Sequence, residues 1–131
     1  MSKLPRVLLI GLRADVVDYG QWPGLTRERL EGGLAQVVED MRARGIEAHW
    51  CLTDRGETAT AVLREALADG PFDVVLVGAG VRLDRVLTPL METIMNEVHQ
   101  LAPSARIAFN TMPHDTVEAV ERWLPGSATS A

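Results

Sequence analysis

The residues that could do chemistry lie at the ends of strand-like segments. Gly78-Ala79-Gly80 is followed by Arg82. Two glycines allow backbone N–H groups to turn outward toward an anion, and the guanidinium of Arg82 could complete the pocket. The pattern lacks the third glycine of a dinucleotide-binding fingerprint. The alternative is a tight turn that binds no ligand.

A long connection follows the first strand-like segment. It covers residues 13–25, whereas roughly two to six residues are usual between a strand and a helix. Arg13 and Asp15 could contribute to a ligand site. Tyr19 and Trp22 could form a lid or a pocket wall, because functional loops often carry such residues. The alternative is that the two aromatic rings attach the connection to the body of the protein.

Polar side chains also follow the last strand-like segment. Asn110 and Thr111 could hydrogen-bond a ligand, or they could satisfy the turn before the next helix. His114 could act as a general base, or it could be an exposed side chain beside a helix start. Asp115 and Glu118 have capping-box spacing and predict a helix N-terminus. No nucleophile, base and orienting group can be assembled from these residues, so no catalytic residue is assigned.

The composition argues against several other kinds of chemistry. The single cysteine, Cys51, excludes an internal disulfide and a cysteine-rich zinc motif, and the three widely separated histidines predict no metal site. The net charge of −5 argues against nucleic acid and anionic membranes as partners. The first apolar segment is too short for a signal sequence or a membrane span, so we predict a cytoplasmic protein.

Strand-like and helix-like segments alternate along the chain. Alternation of this kind predicts a parallel sheet with right-handed crossovers. Residues 6–12 and 73–78 are almost entirely apolar, which is typical of central strands, whereas residues 46–52 alternate as an edge strand does. A short fourth strand covers residues 105–109. These features predict the order 2-1-3-4 in a three-layer, flavodoxin-like α/β sandwich with four helices.

The ends of the helices are also marked in the sequence. Thr26 is a good N-cap for the first helix and Gly45 a good stop. The second helix begins near Thr58, and the third has Pro89 in its first turn. We expect the first and last helices to share one face of the sheet and the other two to cover the opposite face. Residues 1–125 would form one domain and residues 126–131 a flexible tail.

Three protein families share this alternation of strands and helices, and each has a motif that can be compared with the residues of this chain. Receiver domains have a phosphorylated Asp at the end of the third strand and a later lysine, whereas this chain has Gly78 there and Lys3 as its one lysine. Flavodoxins have a loop rich in Ser and Thr after the first strand, where this chain has no Ser or Thr before Thr26. Residues 15–20 resemble the Asp-x-His-x-x-Gly motif of cobalamin-binding domains. Val17 takes the place of the histidine, which excludes cobalt ligation through this motif.

These observations lead to a first hypothesis for function. Ligands of open parallel sheets bind beyond the carboxyl ends of the strands at the switch point, which lies here between the first and third strands. We predict that a polar or anionic small molecule binds there, near the arginines at the strand exits, Arg13, Arg55 and Arg82. The candidate ligand-binding residues are Gly11, Arg13, Asp15, Tyr19, Trp22, Gly78, Gly80, Arg82, Asn110, Thr111 and His114. The cofactor, if any, is unknown.

The second hypothesis is a non-catalytic oligomerisation or regulatory module, for example a homodimer. It depends on apolar side chains around the third helix, where methionines would suit an adaptable interface. The same pattern fits a helix that is simply buried on the sheet. The residues are Leu83, Val86, Leu87, Leu90, Met91, Ile94, Met95 and Val98.

Overall fold

A four-stranded parallel sheet with helices on both faces forms the body of the protein, as seen in a computed structural model that describes residues 4–124. The strands are β1 (Arg6–Leu12), β2 (Glu47–Thr53), β3 (Val74–Val77) and β4 (Arg106–Phe109). The helices are α1 (Arg27–Ala43), α2 (Ala59–Ala68), α3 (Ala79–Arg82), α4 (Thr88–Leu101) and α5 (Thr116–Glu121). The strand order is β2-β1-β3-β4, and all neighbours are parallel, which confirms the predicted topology. The predicted tail lies outside the described residues.

The two central strands are apolar because neither of their faces meets water. Val7 to Ile10 of β1 and all four residues of β3 are buried. β1 pairs with β2 on one side and with β3 on the other. Strands of this kind lie between two layers of helices, as the uninterrupted apolar runs predict.

Each face of the sheet is covered by one pair of helices. Alternate side chains of β1, Leu8 and Ile10, pack with α2 and α4 in one core cluster. Val7 and Leu9 point the other way and pack with α1 and α5 in a second cluster. The predicted pairing of the first helix with the last is therefore confirmed.

The helix ends follow the sequence signals. The side chain of Thr26 accepts a hydrogen bond from the backbone N–H of Arg29, which caps α1. Gly45 has φ of +77°, in the left-handed region that favours glycine, and directly follows the last turn of α1. Pro89 lies in the first turn of α4, where its missing N–H has no partner to lose.

One short helix was not predicted. Four helices were expected, and α3 is an additional single turn that directly follows β3. The backbone N–H of Ala79 at its start donates to the side-chain Oδ1 of Asn110, 31 positions away, at 2.9 Å. A contact so distant in sequence leaves no local pattern, which is why glycines 78 and 80 suggested a loop.

The apolar surface expected around the third predicted helix, α4, is largely interior. Four of its members lie in the core: Leu87, Leu90, Ile94 and Val98. Met91 and Met95 pack against the same cluster. Only Leu83 and Val86 are exposed, with 57% and 74% of their surface accessible. The helix thus has the burial expected of a helix packed on the sheet, and the homodimer stays a prediction.

Within residues 4–124, no helix combines the length and the apolar character needed to cross a membrane. The predicted cytoplasmic location and the absence of nucleic-acid binding stay predictions.

The packing of α4 on the sheet predicts a large effect of truncating Ile94, which has no exposed surface. Replacing Ile94 by Ala should lower the free energy of unfolding by about 2–5 kcal/mol, because a cavity forms in a close-packed core. Val86→Ala at a largely exposed position is the control and should change it by less than about 0.5 kcal/mol. Urea denaturation measures both. Equal effects would contradict the burial of α4.

Candidate functional site

The carboxyl ends of the four strands lie along one edge of the sheet. β1 is followed there by residues 13–26, β2 by residues 54–58 and β3 by α3 with residues 83–87. The strand order places the switch point between β1 and β3.

Arg82 is turned toward the sheet and holds β3 beside β4. Its Nη1 donates to the carbonyl oxygen of Val77 at 2.7 Å, and its Nη2 donates to the carbonyl oxygen of Asn110. The guanidinium carbon lies 4.9 Å from the centre of the Phe109 ring. Partial burial lowers the pKa of Arg82. Both Nη groups of the guanidinium predicted to bind an anion thus donate within the chain.

The two glycines beside α3 have different environments. Gly78 donates its N–H to the carbonyl oxygen of Ile10 at 2.9 Å, and a Cβ at this position would approach that oxygen to 3.3 Å. Gly78 therefore permits a close approach of β3 to β1. A Cβ at Gly80 would meet nothing within 4 Å, so packing does not require glycine there.

Gly11 lies close to an aromatic ring. A Cβ at this position would lie 3.3 Å from the ring of Trp50 on β2. The indole N–H of Trp50 donates to the carbonyl oxygen of Leu34 at 2.9 Å and so joins the edge strand to α1. Gly11 therefore has a structural role at the end of β1.

Asn110 ties three elements together. It is buried, its Oδ1 accepts from Ala79 at the start of α3, and its Nδ2 donates to the hydroxyl of Thr116 at 3.0 Å. The side chain of Asn110 thus uses its hydrogen-bonding groups within the chain, as the alternative to ligand binding predicts. The end of β4 is thus fixed to α3 and α5.

Asp115 is the N-cap residue of α5, as its spacing from Glu118 predicts, but the predicted capping hydrogen bond is absent. The carboxylate of Asp115 turns back and accepts from the backbone N–H groups of Thr111 and Met112, at 2.9 and 3.1 Å, and from the hydroxyl of Thr111. It makes no forward capping bond to α5. Partial desolvation opposes ionisation, but the hydrogen bonds from Thr111 outweigh it and lower the pKa of Asp115.

His114 lies away from the switch point. It is exposed and lines a shallow depression between α1 and α5 together with Asp40, Arg44 and Glu118. Arg44 is already paired with Glu121 of α5 at 2.8 Å. The structure therefore does not bring His114 together with the residues that follow β1 and β3.

The connection after β1 is held mainly by its own contacts. The hydroxyl of Tyr19 donates to the carbonyl oxygen of Ala14 at 2.8 Å. Arg13 and Asp15 form a half-exposed ion pair at 3.1 Å, and the hydrogen bond from Arg13 lowers the pKa of Asp15. Trp22 is partly exposed. Tyr19 therefore stabilises the connection through its hydroxyl, which fits the alternative to a lid.

A groove lies between the connections that follow β1 and β3. It is a shallow, open groove of about 550 Å³, and its lining residues are Gln21, Leu83, Asp84, Arg85 and Val86. Gln21 comes from the first connection and the other four from the second, so the groove lies at the switch point. None of these five residues was among the candidates for ligand binding, although Leu83 and Val86 belonged to the apolar surface of the second hypothesis.

Asp84 lines this groove and joins the connections that follow β1, β2 and β3. Its side chain is 7% exposed and accepts from the N–H of Val86 at 3.0 Å, from Arg55 Nη2 at 3.1 Å and from Gln21 Nε2 at 3.4 Å. Arg55 also donates to the carbonyl oxygen of Val16 at 3.3 Å. Desolvation opposes ionisation, but the N–H of Val86 and the guanidinium of Arg55 outweigh it and lower the pKa of Asp84.

Arg85 is the cationic side chain that lines the groove without a partner among the described residues. It is exposed, and within residues 4–124 its guanidinium has no hydrogen bond or ion pair. Arg55 by contrast is already paired with Asp84. Sequence reasoning placed the arginines of interest at strand exits and missed Arg85 because α3 lies between it and β3. A charged pair between two apolar residues, Leu83 and Val86, was the available signal.

Asp54 organises the connection after β2. It is buried, and its carboxylate accepts from the backbone N–H groups of Gly56 and Thr58, both at 3.0 Å, and from the Thr58 hydroxyl at 2.6 Å. The Thr58 hydroxyl and these N–H groups lower the pKa of Asp54. Gly56 has φ of +138°, which a side chain rarely permits. This arrangement places Arg55 toward Asp84.

The described residues offer no metal site and no reactive thiol. No group of three or more His, Cys, Asp or Glu side chains within residues 4–124 is placed to hold a metal ion. Burial raises the pKa of the Cys51 thiol to about 11, which keeps it protonated near neutral pH. Cys51 belongs to the core.

The comparisons with known proteins support the fold. No protein-family model matches the sequence, and the comparison with curated proteins gives no match. Among solved structures, the chain is similar to a type II dehydroquinase from Butyrivibrio crossotus. The TM-score is 0.54 and the identity 11%, over 94% of this chain and 99% of the other. The likeness shows the fold alone, a flavodoxin-like α/β fold.

Arg82 is predicted to contribute to stability. Arg82→Ala should lower the free energy of unfolding by about 2–4 kcal/mol, because charge-assisted hydrogen bonds to the ends of β3 and β4 are lost. Arg106→Ala, at an exposed position on β4, should change it by less than about 0.5 kcal/mol. Chemical denaturation compares the two. An Arg82→Ala protein as stable as the control would contradict the structural role.

The lowered pKa of Asp54 predicts a pH dependence. Its carboxylate is more acidic in the folded chain than in the unfolded chain, so its contribution to stability is complete above about pH 4 and is lost as the pH falls through the folded pKa. Asp54→Asn should therefore be less stable than the wild type at pH 7, and the gap should narrow toward pH 2. Unfolding titrations at a series of pH values measure this gap. A gap that stays constant would refute the assignment.

Proposed function

We propose that this protein binds a polar or anionic small molecule at the carboxyl ends of β1 and β3. The site is the groove between Gln21 and the segment 83–86. The observation that carries the proposal is the unpaired guanidinium of Arg85 at a switch point, where open parallel sheets bind their ligands.

The support for this position comes from the way the groove is built. Asp84 fixes the segment that contains Arg85 to Gln21 of one connection and to Arg55 of another. Three connections thus meet at one buried carboxylate, so the groove has a defined shape before any ligand enters. Binding sites are usually pre-formed in this way, because ordering a site on binding weakens affinity.

The support for a polar or anionic ligand comes from charge. The Arg55–Asp84 pair is neutral as a unit, and so is the Arg13–Asp15 pair in the connection that follows β1. Arg85 therefore gives the groove an uncompensated positive charge. A negatively charged or hydrogen-bonding group is the natural partner of an unpaired guanidinium.

The proposal is for a binding site and includes no reaction. The shared fold with a type II dehydroquinase, at 11% identity, transfers no residue roles to this chain. The groove contains one carboxylate, Asp84, and all three of its observed donors hold it ionised. A residue in this state is suited to positioning other groups.

A thermal-shift panel of phosphates, nucleotides and carboxylates tests the proposal. At least one anion should raise the melting temperature of the wild type, because a ligand that binds the folded state stabilises it by mass action. Arg85→Gln should abolish this shift, since it removes the unpaired charge and keeps most of the side-chain length.

Arg106→Gln is the matched control. Arg106 is likewise exposed, but it is the first residue of β4 and so lies at the amino end of that strand. It should leave the anion-dependent shift unchanged. If no anion shifts the wild type, or if the shift survives in Arg85→Gln, the proposed site is wrong.

A further inference from the structure

We infer that the ligand of this groove is a small monocarboxylate with an apolar body. This inference rests on the proposed function and narrows its ligand class. It is carried by the charges in the groove and by two apolar side chains at its rim.

The charges favour a single negative charge on the ligand. Arg85 is the one groove cation, among the described residues, that lacks an acidic partner. A phosphate monoester, with nearly two charges at neutral pH, would place its second charge beside the Asp84 carboxylate without a further cation. The net charge of −5 adds a general repulsion of polyanions.

The geometry of a guanidinium suits a carboxylate. Arginine presents a planar fork of N–H donors that matches the two oxygens of a carboxylate. Arg85 follows Asp84 directly in the chain, and Asp84 Oδ1 accepts from the N–H of Val86 at 3.0 Å. The backbone on both sides of Arg85 is thereby held, so part of the ordering needed to bind an anion is already present.

The rim of the groove suits an apolar body. Leu83 and Val86 flank the charged pair and are 57% and 74% exposed, whereas Leu87 in the same segment is 2% exposed. Both exposed side chains line the groove. A ligand whose carboxylate binds Arg85 could cover these side chains with its carbon skeleton, and covering apolar surface favours binding.

Titrations followed by backbone amide NMR test the ligand class. The probes are benzoate, acetate, phenyl phosphate and inorganic phosphate, added to the complete chain at pH 7. Benzoate should shift the amide resonances of residues 83–86 and bind at least about tenfold more tightly than acetate, because of the apolar surface it buries. Phenyl phosphate has the same ring and should bind more weakly than benzoate.

Variants separate the two contributions. The double variant Leu83→Ser/Val86→Ser should weaken benzoate binding about tenfold and leave acetate binding unchanged. Both positions are exposed, so the core is untouched. Leu101→Ser, at a 44% exposed position at the end of α4, is the apolar control and should change neither affinity. Arg85→Gln should abolish binding of both carboxylates.

The outcomes distinguish this inference from the proposed function. If phenyl phosphate binds as tightly as benzoate, or acetate as tightly as benzoate, in a manner that depends on Arg85, the monocarboxylate class is wrong and the site stands. If none of the four anions binds in a manner that depends on Arg85, the inference fails. The thermal-shift panel, with its wider set of anions, then decides whether the site also fails.

Discussion

Burial of β1 and β3 on both faces is the constraint on which the rest of the structure depends. Residues 7–10 and 74–77 have almost no contact with water. Such strands need a helical layer on each side, and parallel strands need crossover connections that supply those layers. The chain therefore leaves β1 toward one face and β3 toward the other. The two departing connections separate, and the groove lies where they do so.

The polar groups along the carboxyl edge of the sheet differ in whether they have partners within the chain. Three of them have several: Arg82 and Asn110 hold the ends of β3 and β4, and Asp54 holds the connection after β2. These groups are partly or wholly buried, and a buried polar group without a partner is costly. Arg85 is exposed and has no acidic partner among the described residues. Whether a side chain already has partners within the chain, more than its residue type, separates structural groups from a candidate binding group.

The sequence was sufficient to predict the topology. Uninterrupted apolar runs marked β1 and β3, alternation marked β2, and Thr26, Gly45 and Pro89 marked helix ends. Each of these signals is local, because it depends on which side of one element is buried or on which residue fits one backbone position. The sheet order then followed from the rule that open parallel sheets place their most apolar strands at the centre.

The details of the site depended on contacts that are distant in sequence. Arg82 was expected to face a ligand because it follows a glycine pair, yet its partners include Asn110, 28 positions later. Asp84 meets Arg55, 29 positions earlier, and Gln21, 63 positions earlier. Asp115 was expected to cap α5, but the nearby N–H groups of Thr111 and Met112 compete successfully for it. Local propensity cannot rank such alternatives.

The pair between buried Asp84 and partly exposed Arg55 explains why the groove has a defined shape although it lies on loops. Removing a carboxylate from water is unfavourable unless hydrogen bonds and an opposite charge replace the water. Asp84 obtains these from three connections, with the contact to Gln21 the longest at 3.4 Å, so its ionised state favours their present arrangement. Rearrangement of any one connection would leave a buried charge short of a partner. The requirement that makes Asp84 stable thus also holds Arg85, Leu83 and Val86 together at one side of the groove.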